Sequence, residues 1–303
     1  MKKLICILCI LSIISIFIGL VDIDSEVLLY TRIPRLVSIL ISGIGLSIAG
    51  LILQHISQNK FAAPSTVGTM DCAILGLTIS LLLYGNHHLL LNITFGFVFA
   101  IIGTKIVMYL IDNIVYKDKT FIPIIGLMFG KIIYAISLYL AYKYDLIQDT
   151  NSWLIGDFSI ITQGNYEILY LDIPMVIIAY LYSISFTIIG CGNEFSSNIG
   201  IDYNKIKNIG IFIVAMLSSS IVLTVGNIPF IGLIIPNLVS LKYGDNIKTT
   251  MPYVCIYGAI LVLVCDIFSR LIIYPFELPV SIVLTILGSS VFIYLFNYRR
   301  SYL

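Results

Sequence analysis

Two pairs of ionisable residues lie within apolar stretches of this sequence, where a charge is unfavourable unless it has a partner or a function. Asp266 precedes Arg270 by four residues, so the two would be neighbours on one face of a helix and could form an ion pair. We interpret Asp266 as the partner of Arg270. Asp71 and Lys131 have no such neighbour in the sequence, and they either line a polar passage or are paired for structural reasons.

The sequence lacks the motifs that indicate catalysis or nucleotide binding. A phosphate-binding G-x-x-x-x-G-K-[ST] loop is missing, because Ile125 stands where the first glycine before Gly130-Lys131 would be. H-E-x-x-H and G-x-S-x-G are also absent. A lone C-x-x-C at Cys6 and Cys9 lacks the ligand number of a zinc site, and His87-His88 is interpreted as part of a solvated loop. We therefore expect no catalytic residue, no bound metal and no cofactor.

The composition indicates a chain that is dissolved in lipid. Apolar residue types make up 59% of the 303 residues, and charged types make up 11%. A soluble domain carries about 25% charged residues, so this chain has too few to cover a water-exposed surface. The formal net charge of +1 gives no reason to expect a nucleic-acid partner.

Apolar segments long enough to cross a bilayer recur along the whole sequence, since a spanning helix needs about 20 such residues. Small residues in the second segment, with Gly43 and Ser47 in one series and Gly45 and Ala49 in another, predict close helix packing. The eighth segment is short and carries Pro229 and Pro236, so neighbouring protein must bury its broken backbone. We predict an all-α membrane protein with ten spans, at about 4–21, 36–55, 65–84, 89–111, 121–142, 168–190, 208–226, 228–241, 252–273 and 279–297.

The distribution of Lys and Arg orients these spans. With the N-terminus inside, eleven of these cations lie in inner segments and four lie in outer segments, which supports both termini being inside. The four outer cations are Arg32, Arg35, Lys143 and Arg270. The apolar stretch from Leu4 to Val21 is longer than a secretory signal core, so we interpret it as a retained first helix.

Eight motifs, in the same order along the chain, resemble one family from about residue 30 to the C-terminus. They are RIPRLVSILISGIGLSIAGLILQ (32–54), NKFAAP (59–64), GTMD (68–71), WLIGDFS (153–159), GNEFSSNIGI (192–201), IPFIGLIIPN (228–237), DIFSR (266–270) and ELPVSIVLTILG (277–288). The chain resembles the FecCD/BtuC-like permease subunits of bacterial ATP-driven importers for siderophores, haem and vitamin B12. The variant N-K-F-x-x-P followed by G-T-M-D is similar to a subgroup that handles ferric catecholate-type or mixed siderophores.

The sequence departs from the family pattern at three positions. Lys60 and Phe61 replace the usual Pro and Leu after Asn59, and Asn237 replaces the usual His. These departures leave the roles of the altered positions open.

The resemblance implies a type II ABC importer permease in a bacterial plasma membrane, with residues 1–303 forming one transmembrane permease domain. Two permeases, either identical or different, would enclose a passage. ATP-binding cassette subunits would attach inside, and a solute-binding protein or lipoprotein would dock outside. The function implied is uptake of an iron–siderophore complex.

The resemblance also assigns candidate site residues. Contacts with the binding protein are implied for Arg32, Arg35 and Arg270; the alternative is that these arginines anchor helices at the interface. Segment 191–208 would couple to the ATPase through Glu194, Gly200, Ile201 and Asp202, unless it is an ordinary solvated loop. A cytoplasmic gate is implied at Asn59, Phe61, Lys119 and Thr120.

Two other functions remain open on the residues alone. An ion-coupled secondary transporter would use an intramembrane carboxylate such as Asp71 and a broken helix such as the eighth segment. A lipid or prenyl transferase would need clustered aspartates on inner loops, for which Asp112 and Asp118 are a poor match.

Overall fold

Helices make up most of the structure. A computed structural model describes residues 1–18, 25–85, 89–113 and 121–300. The loop histidines His87 and His88 and two predicted gate residues, Lys119 and Thr120, lie outside these ranges. The helices are α1 Lys2–Phe17, α2 Ile33–Ile56, α3 Thr69–Tyr84, α4 Leu89–Asp112, α5 Phe121–Lys143, α6 Ile147–Leu154, α7 Asp172–Leu181, α8 Ser183–Ile189, α9 Asn193–Asn198, α10 Tyr203–Thr224, α11 Ile231–Tyr243, α12 Ile247–Leu271 and α13 Val280–Arg300.

Every predicted span contains a helix. Within the described residues, five helical stretches are long and apolar enough to cross a membrane: Leu28–Ile56, Leu90–Asp112, Pro123–Lys143, Tyr203–Thr224 and Ile247–Leu271. The predicted sixth span is a bent pair, since α7 and α8 meet at 62° around Tyr182. Three shorter apolar helices, α3, α11 and the first part of α13, together with α1, match the remaining predicted segments.

Helix α2 is the central element of the bundle and packs against α1, α7, α8, α10, α11 and α12. Its contacts depend on glycine, because a Cβ on Gly50 would lie 1.8 Å from the carbonyl oxygen of Gly232 in α11. A Cβ on Gly43 would lie 2.7 Å from the carbonyl oxygen of Gly258 in α12. The predicted close packing along the small residues of this segment is therefore confirmed.

The broken helix α11 is held by side chains from its neighbours. Pro236 lies inside the helix and has no N–H, so the carbonyl of Gly232 loses its usual donor. The side-chain amide of Gln54 in α2 approaches this carbonyl at 3.5 Å and that of Leu233 at 3.4 Å. Asn237 also donates to Leu233 O, at 2.7 Å. Protein groups thus satisfy the backbone where the helix is interrupted, as we expected for the eighth segment.

The helices differ in how much of their surface the bundle covers. In α2 72% of the most apolar window is buried, whereas in α5 only 22% is buried. Helix α5 therefore presents most of its surface outward, to lipid, to a partner or to a passage.

We predict that Gly50→Ala will destabilise the protein by about 3 kcal/mol, the upper end of the usual cost of overpacking, because the added methyl group collides with a backbone that cannot move alone. The melting temperature of the detergent-purified protein would measure the change. Gly96→Ala is the matched control, since the atom nearest to its Cβ would be a side-chain methyl of Leu77 at 3.2 Å, and the nearest backbone atom would be the carbonyl oxygen of Ala73 at 3.6 Å. Equal melting temperatures for the two variants would contradict the α2–α11 backbone contact.

Candidate functional site

Four charged residues, three of them buried, form a cluster at the end of the bundle that the cation distribution places outside. Arg35 donates from Nε and Nη2 to Oδ1 of Asp266, at 3.1 and 2.7 Å, and from Nη1 to Oε2 of Glu277, at 2.7 Å. The other carboxylate oxygen of Asp266 pairs with Arg270, which confirms the predicted i,i+4 ion pair. The Asp266 side chain is fully buried, and two guanidinium groups compensate its charge.

Arg270 also binds the end of the first helix. It donates to the carbonyl of Ser15 at 2.8 Å, to the hydroxyl of Ser15 at 2.5 Å and to the carbonyl of Ile18 at 3.3 Å. The last carbonyls of a helix lack intrahelical donors and carry a partial negative charge, so a cation is favourable there. Arg270 thus joins the C-terminal end of α1 to α12.

The three arginines predicted to contact a binding protein differ in how far their side chains are buried. Arg35 and Arg270 point into the protein, with side chains 10% and 2% exposed. Arg32 is half-buried and donates to the carbonyl of Ile18 at 3.2 Å. It lines an outer depression of about 210 Å³ together with Glu277 and Phe158, and Arg35 also lines this depression from below. Of the three arginines, Arg32 is the most accessible to an external protein in this conformation. The sequence reasoning missed Glu277 and Ser15 because neither belongs to a charged pair in the sequence.

A second polar cluster lies at the opposite end of α2. Lys60 forms an ion pair with Asp245 and donates to Ser240 Oγ at 3.2 Å, while its carbonyl accepts from Asn237 Nδ2 at 2.7 Å. The side chain of Asn59 accepts from the backbone N–H of Phe61 at 2.8 Å. Two of the departures from the family pattern, Lys60 and Asn237, therefore contact each other and fix the turn that carries Asn59 and Phe61.

The electrostatics of this cluster favour a charged Asp245. Partial burial alone would raise the pKa of the Asp245 carboxyl. Hydrogen bonds from Lys60 and Ser240 and the positive charge of Lys60 outweigh burial, so the pKa lies below its ordinary value. The ion pair is thus present at neutral pH.

The predicted coupling segment lies beside this inner cluster. A cavity of about 460 Å³ is lined by Asn59, Lys60 and Asp245 on one side and by Gly190 and Cys191, which lead into the segment, on the other. The predicted gate turn and the predicted coupling segment are therefore adjacent.

The coupling segment folds into a short helix followed by a sharp turn. Glu194 lies in the first turn of α9, and Gly200 adopts a φ of +86° that favours glycine. The N–H of Ile201 closes the turn on Ser196 O at 2.9 Å, and Asp202 caps α10 by accepting from the N–H of Lys205 at 3.0 Å. Each of these four predicted residues thus has a defined place in the turn between α9 and α10.

Two apolar side chains on this segment are exposed, Phe195 at 49% and Ile199 at 52%. They are four residues apart, so they share one side of the helical turn. Exposed apolar groups on a polar segment indicate a contact surface. The sequence reasoning missed them because it searched the segment for charge and glycine.

The structure also brings Asp71 and Lys131 together. Asp71 lies in the first turn of α3, where the helix dipole favours a negative charge, and its Oδ1 is 3.9 Å from Nζ of Lys131. Both residues line a cavity of about 410 Å³ that also contains Phe61 of the predicted gate. Asp71 and Lys131 therefore form an ion pair and also line a cavity.

We predict that Asp266→Asn will destabilise the protein by about 3–5 kcal/mol, because it leaves two buried guanidinium groups without their shared carboxylate. The melting temperature of the purified protein is the measurement. Glu277→Gln should have a smaller effect, since the Glu277 side chain is 31% exposed and forms its ion pair with Arg35, which also binds Asp266. An Asp266→Asn protein as stable as Glu277→Gln would show that the cluster does not hold the helices together.

Comparison with known proteins places this geometry in context. A family model described as the FecCD transport family matches residues 4–297. The petrobactin import system permease protein YclN of Bacillus subtilis is 45% identical over 100% of this chain and 99% of its own length. The ferric-anguibactin transport system permease protein FatD of Vibrio anguillarum is 38% identical over 87% of this chain and 84% of its own length.

A solved structure has the same fold. An inward-facing metal-chelate type ABC transporter superposes with a TM-score of 0.83, at 24% identity, over 98% of both chains.

Proposed function

Because this chain belongs to the FecCD transport family, we propose that it forms the membrane passage through which an iron–siderophore complex is imported. The chain is a multi-pass membrane permease subunit of a bacterial ABC importer, and ATP hydrolysis takes place on a partner subunit. The observation that carries the proposal is the 45% identity, over the whole chain, to a permease named for petrobactin import. A relative named for ferric-anguibactin transport supports the same class of cargo.

The passage itself would form between two permeases. Helix α5 leaves most of its apolar surface uncovered, and two cavities open beside it. A second permease placed against this face would bury the apolar surface and enclose the cavities. Whether the second chain is a copy or a relative, the outward faces of α5 and α13 are the surfaces it would meet.

We assign the outer contact with a solute-binding protein to Arg32. Its guanidinium group lies at the rim of the outer depression, where it can meet a carboxylate of a docking protein. Arg35 and Arg270 support the outer surface from inside the protein. Their cluster with Asp266 fixes α1, α2 and α12 relative to one another. This division of roles replaces direct docking by all three arginines.

The gate role of Asn59 and Phe61 would depend on the inner cluster. The ring of Phe61 packs edge-on against that of Phe292 in α13, with centroids 5.7 Å apart, at the inner side of the cavity near α5. Lys60 ties the same turn to Asp245 between α11 and α12. A movement of the neighbouring coupling segment would reach Phe61 through this turn.

The cargo is tested by uptake of ⁵⁵Fe-labelled ferric petrobactin and ferric anguibactin into cells. We predict that deletion of the gene abolishes uptake of at least one of these chelates and that the wild-type gene restores it. Restored uptake should stop when ATP is depleted. Uptake that survives ATP depletion and collapses with an uncoupler would instead indicate an ion-coupled transporter.

The same uptake assay tests the docking role of Arg32 separately from the identity of the cargo. Arg32→Glu should remove uptake while the protein remains at its normal level in the membrane, because reversing the charge at the rim of the outer depression repels a carboxylate partner. Normal uptake by this variant would overturn the docking role and leave the cargo assignment intact.

For the inner side, we predict that the double variant Phe195→Ala, Ile199→Ala loses its ATPase subunits during purification, because it removes the exposed apolar contact of the coupling segment. The amount of ATPase that co-purifies with the permease is the measurement. Ser197→Ala is the control, since Ser197 is exposed on the same helix but offers no apolar surface. Undiminished ATPase in the double variant would contradict the placement of this contact.

A further inference from the structure

Lys131 lies deep within its membrane span, and its charged side chain is nevertheless not covered by the rest of the protein. It lies near the middle of α5, about 15 Å from the inner end and 18 Å from the outer end at 1.5 Å per residue. This depth is too great for a lysine side chain to reach either interface. Its side chain is nevertheless 67% exposed. An ammonium group facing hydrocarbon at this depth is strongly unfavourable, so the exposed side should face water or a polar ligand.

Two cavities meet at Lys131. One, of about 410 Å³, lies between α5, the turn before α3 and the start of α11. The other, of about 450 Å³, lies between Lys131, Leu154 and α13. Among the described residues that line the two cavities, Lys131 is the only cation, and it belongs to both.

Asp71 holds the ammonium group in place without satisfying it. The carboxylate is buried, and its Oδ1 lacks a hydrogen-bond partner. The separation of 3.9 Å from Lys131 Nζ exceeds hydrogen-bond length, so the attraction is electrostatic. Asp71 therefore accepts no hydrogen bond from the ammonium group, and the N–H groups of Lys131 can donate to a ligand in either cavity. The ring of Tyr134, 5.0 Å from Nζ, supports the cation from its own helix.

The walls near Lys131 are largely apolar and include aromatic rings. Phe61, Phe230 and Phe292 line the cavity of about 410 Å³ beside aliphatic side chains and prolines. An anionic ligand with aromatic groups matches this combination, because its rings can pack on the phenylalanines while its charged oxygens meet the ammonium group.

We propose that Lys131, held beside Asp71 where the two cavities meet, is the contact in the passage for the anionic oxygens of an aromatic metal chelate. This assignment rests on the proposed function, which supplies a chelate as the cargo. The passage would then select for negatively charged cargo within the membrane, after the external binding protein has released the chelate.

The decisive test separates ligand contact from structural pairing. The probe is a ⁵⁵Fe-labelled chelate that the wild-type protein imports, and uptake is normalised to the amount of permease in the membrane. We expect Lys131→Met to lower uptake by about tenfold, the effect of losing one charge-assisted contact. The double variant Asp71→Asn, Lys131→Met should remain as low, because it removes the buried unpaired carboxylate but does not restore a cation. Lys131→Arg should retain most of the uptake.

Lys105→Met is the matched control, since Lys105 is an exposed lysine within α4 that lines neither cavity. Its uptake should equal that of the wild type. Recovery of uptake in the double variant would show that Lys131 only neutralises Asp71 and would overturn the proposal. Unchanged uptake in Lys131→Met would overturn it as well. Failure of the wild-type protein to import any ferric chelate would refute the proposed function before any variant is compared.

Discussion

The backbone contact between Gly50 of α2 and Gly232 of α11 constrains the rest of the structure. Helix α2 provides Arg35 for the outer cluster, Gln54 for the broken helix and the turn after its end for the inner cluster. A side chain at Gly50 would move α11 away and separate the groups that meet at these places. Close packing of two glycine backbones is thus what allows polar groups from distant parts of the sequence to meet in an apolar bundle.

The outer charge cluster and the pair of Asp71 with Lys131 differ in completeness, and the difference separates structure from function. Both carboxylate oxygens of Asp266 bind arginines, and Arg270 also satisfies the end of α1. A cluster of this kind stabilises one arrangement of helices. Asp71 has an unsatisfied oxygen, and its cation is exposed to two cavities. An incomplete pair in a low-dielectric region retains the capacity to bind something else.

Local patterns in the sequence predicted the spans, the small-residue face of α2 and the pair between Asp266 and Arg270, because each depends on residues close together along a helix. The ion pair of Arg35 with Asp266 joins residues 231 positions apart, and that of Lys60 with Asp245 joins residues 185 apart. A periodic pattern of residue types along the chain cannot reveal contacts between residues that are so far apart in the sequence. Burial is equally invisible in the sequence, which does not show that Arg35 and Arg270 are enclosed while Arg32 is half-buried. The exposure of Phe195 and Ile199 likewise follows from the turn geometry rather than from composition.

The tether between Ser15 and Arg270 has a consequence for biosynthesis, because the two residues are 255 positions apart. A ribosome adding about 5–20 residues per second needs roughly 13–50 s to make that length of chain. During this interval the first helix is already in the bilayer, but its final anchor does not yet exist. Until nearly the whole polypeptide has been inserted, α1 can therefore be held only by its contacts with α2 and by the bond from Arg32 to Ile18 O, and a chain that stops short of α12 would lack the Arg270 tether altogether.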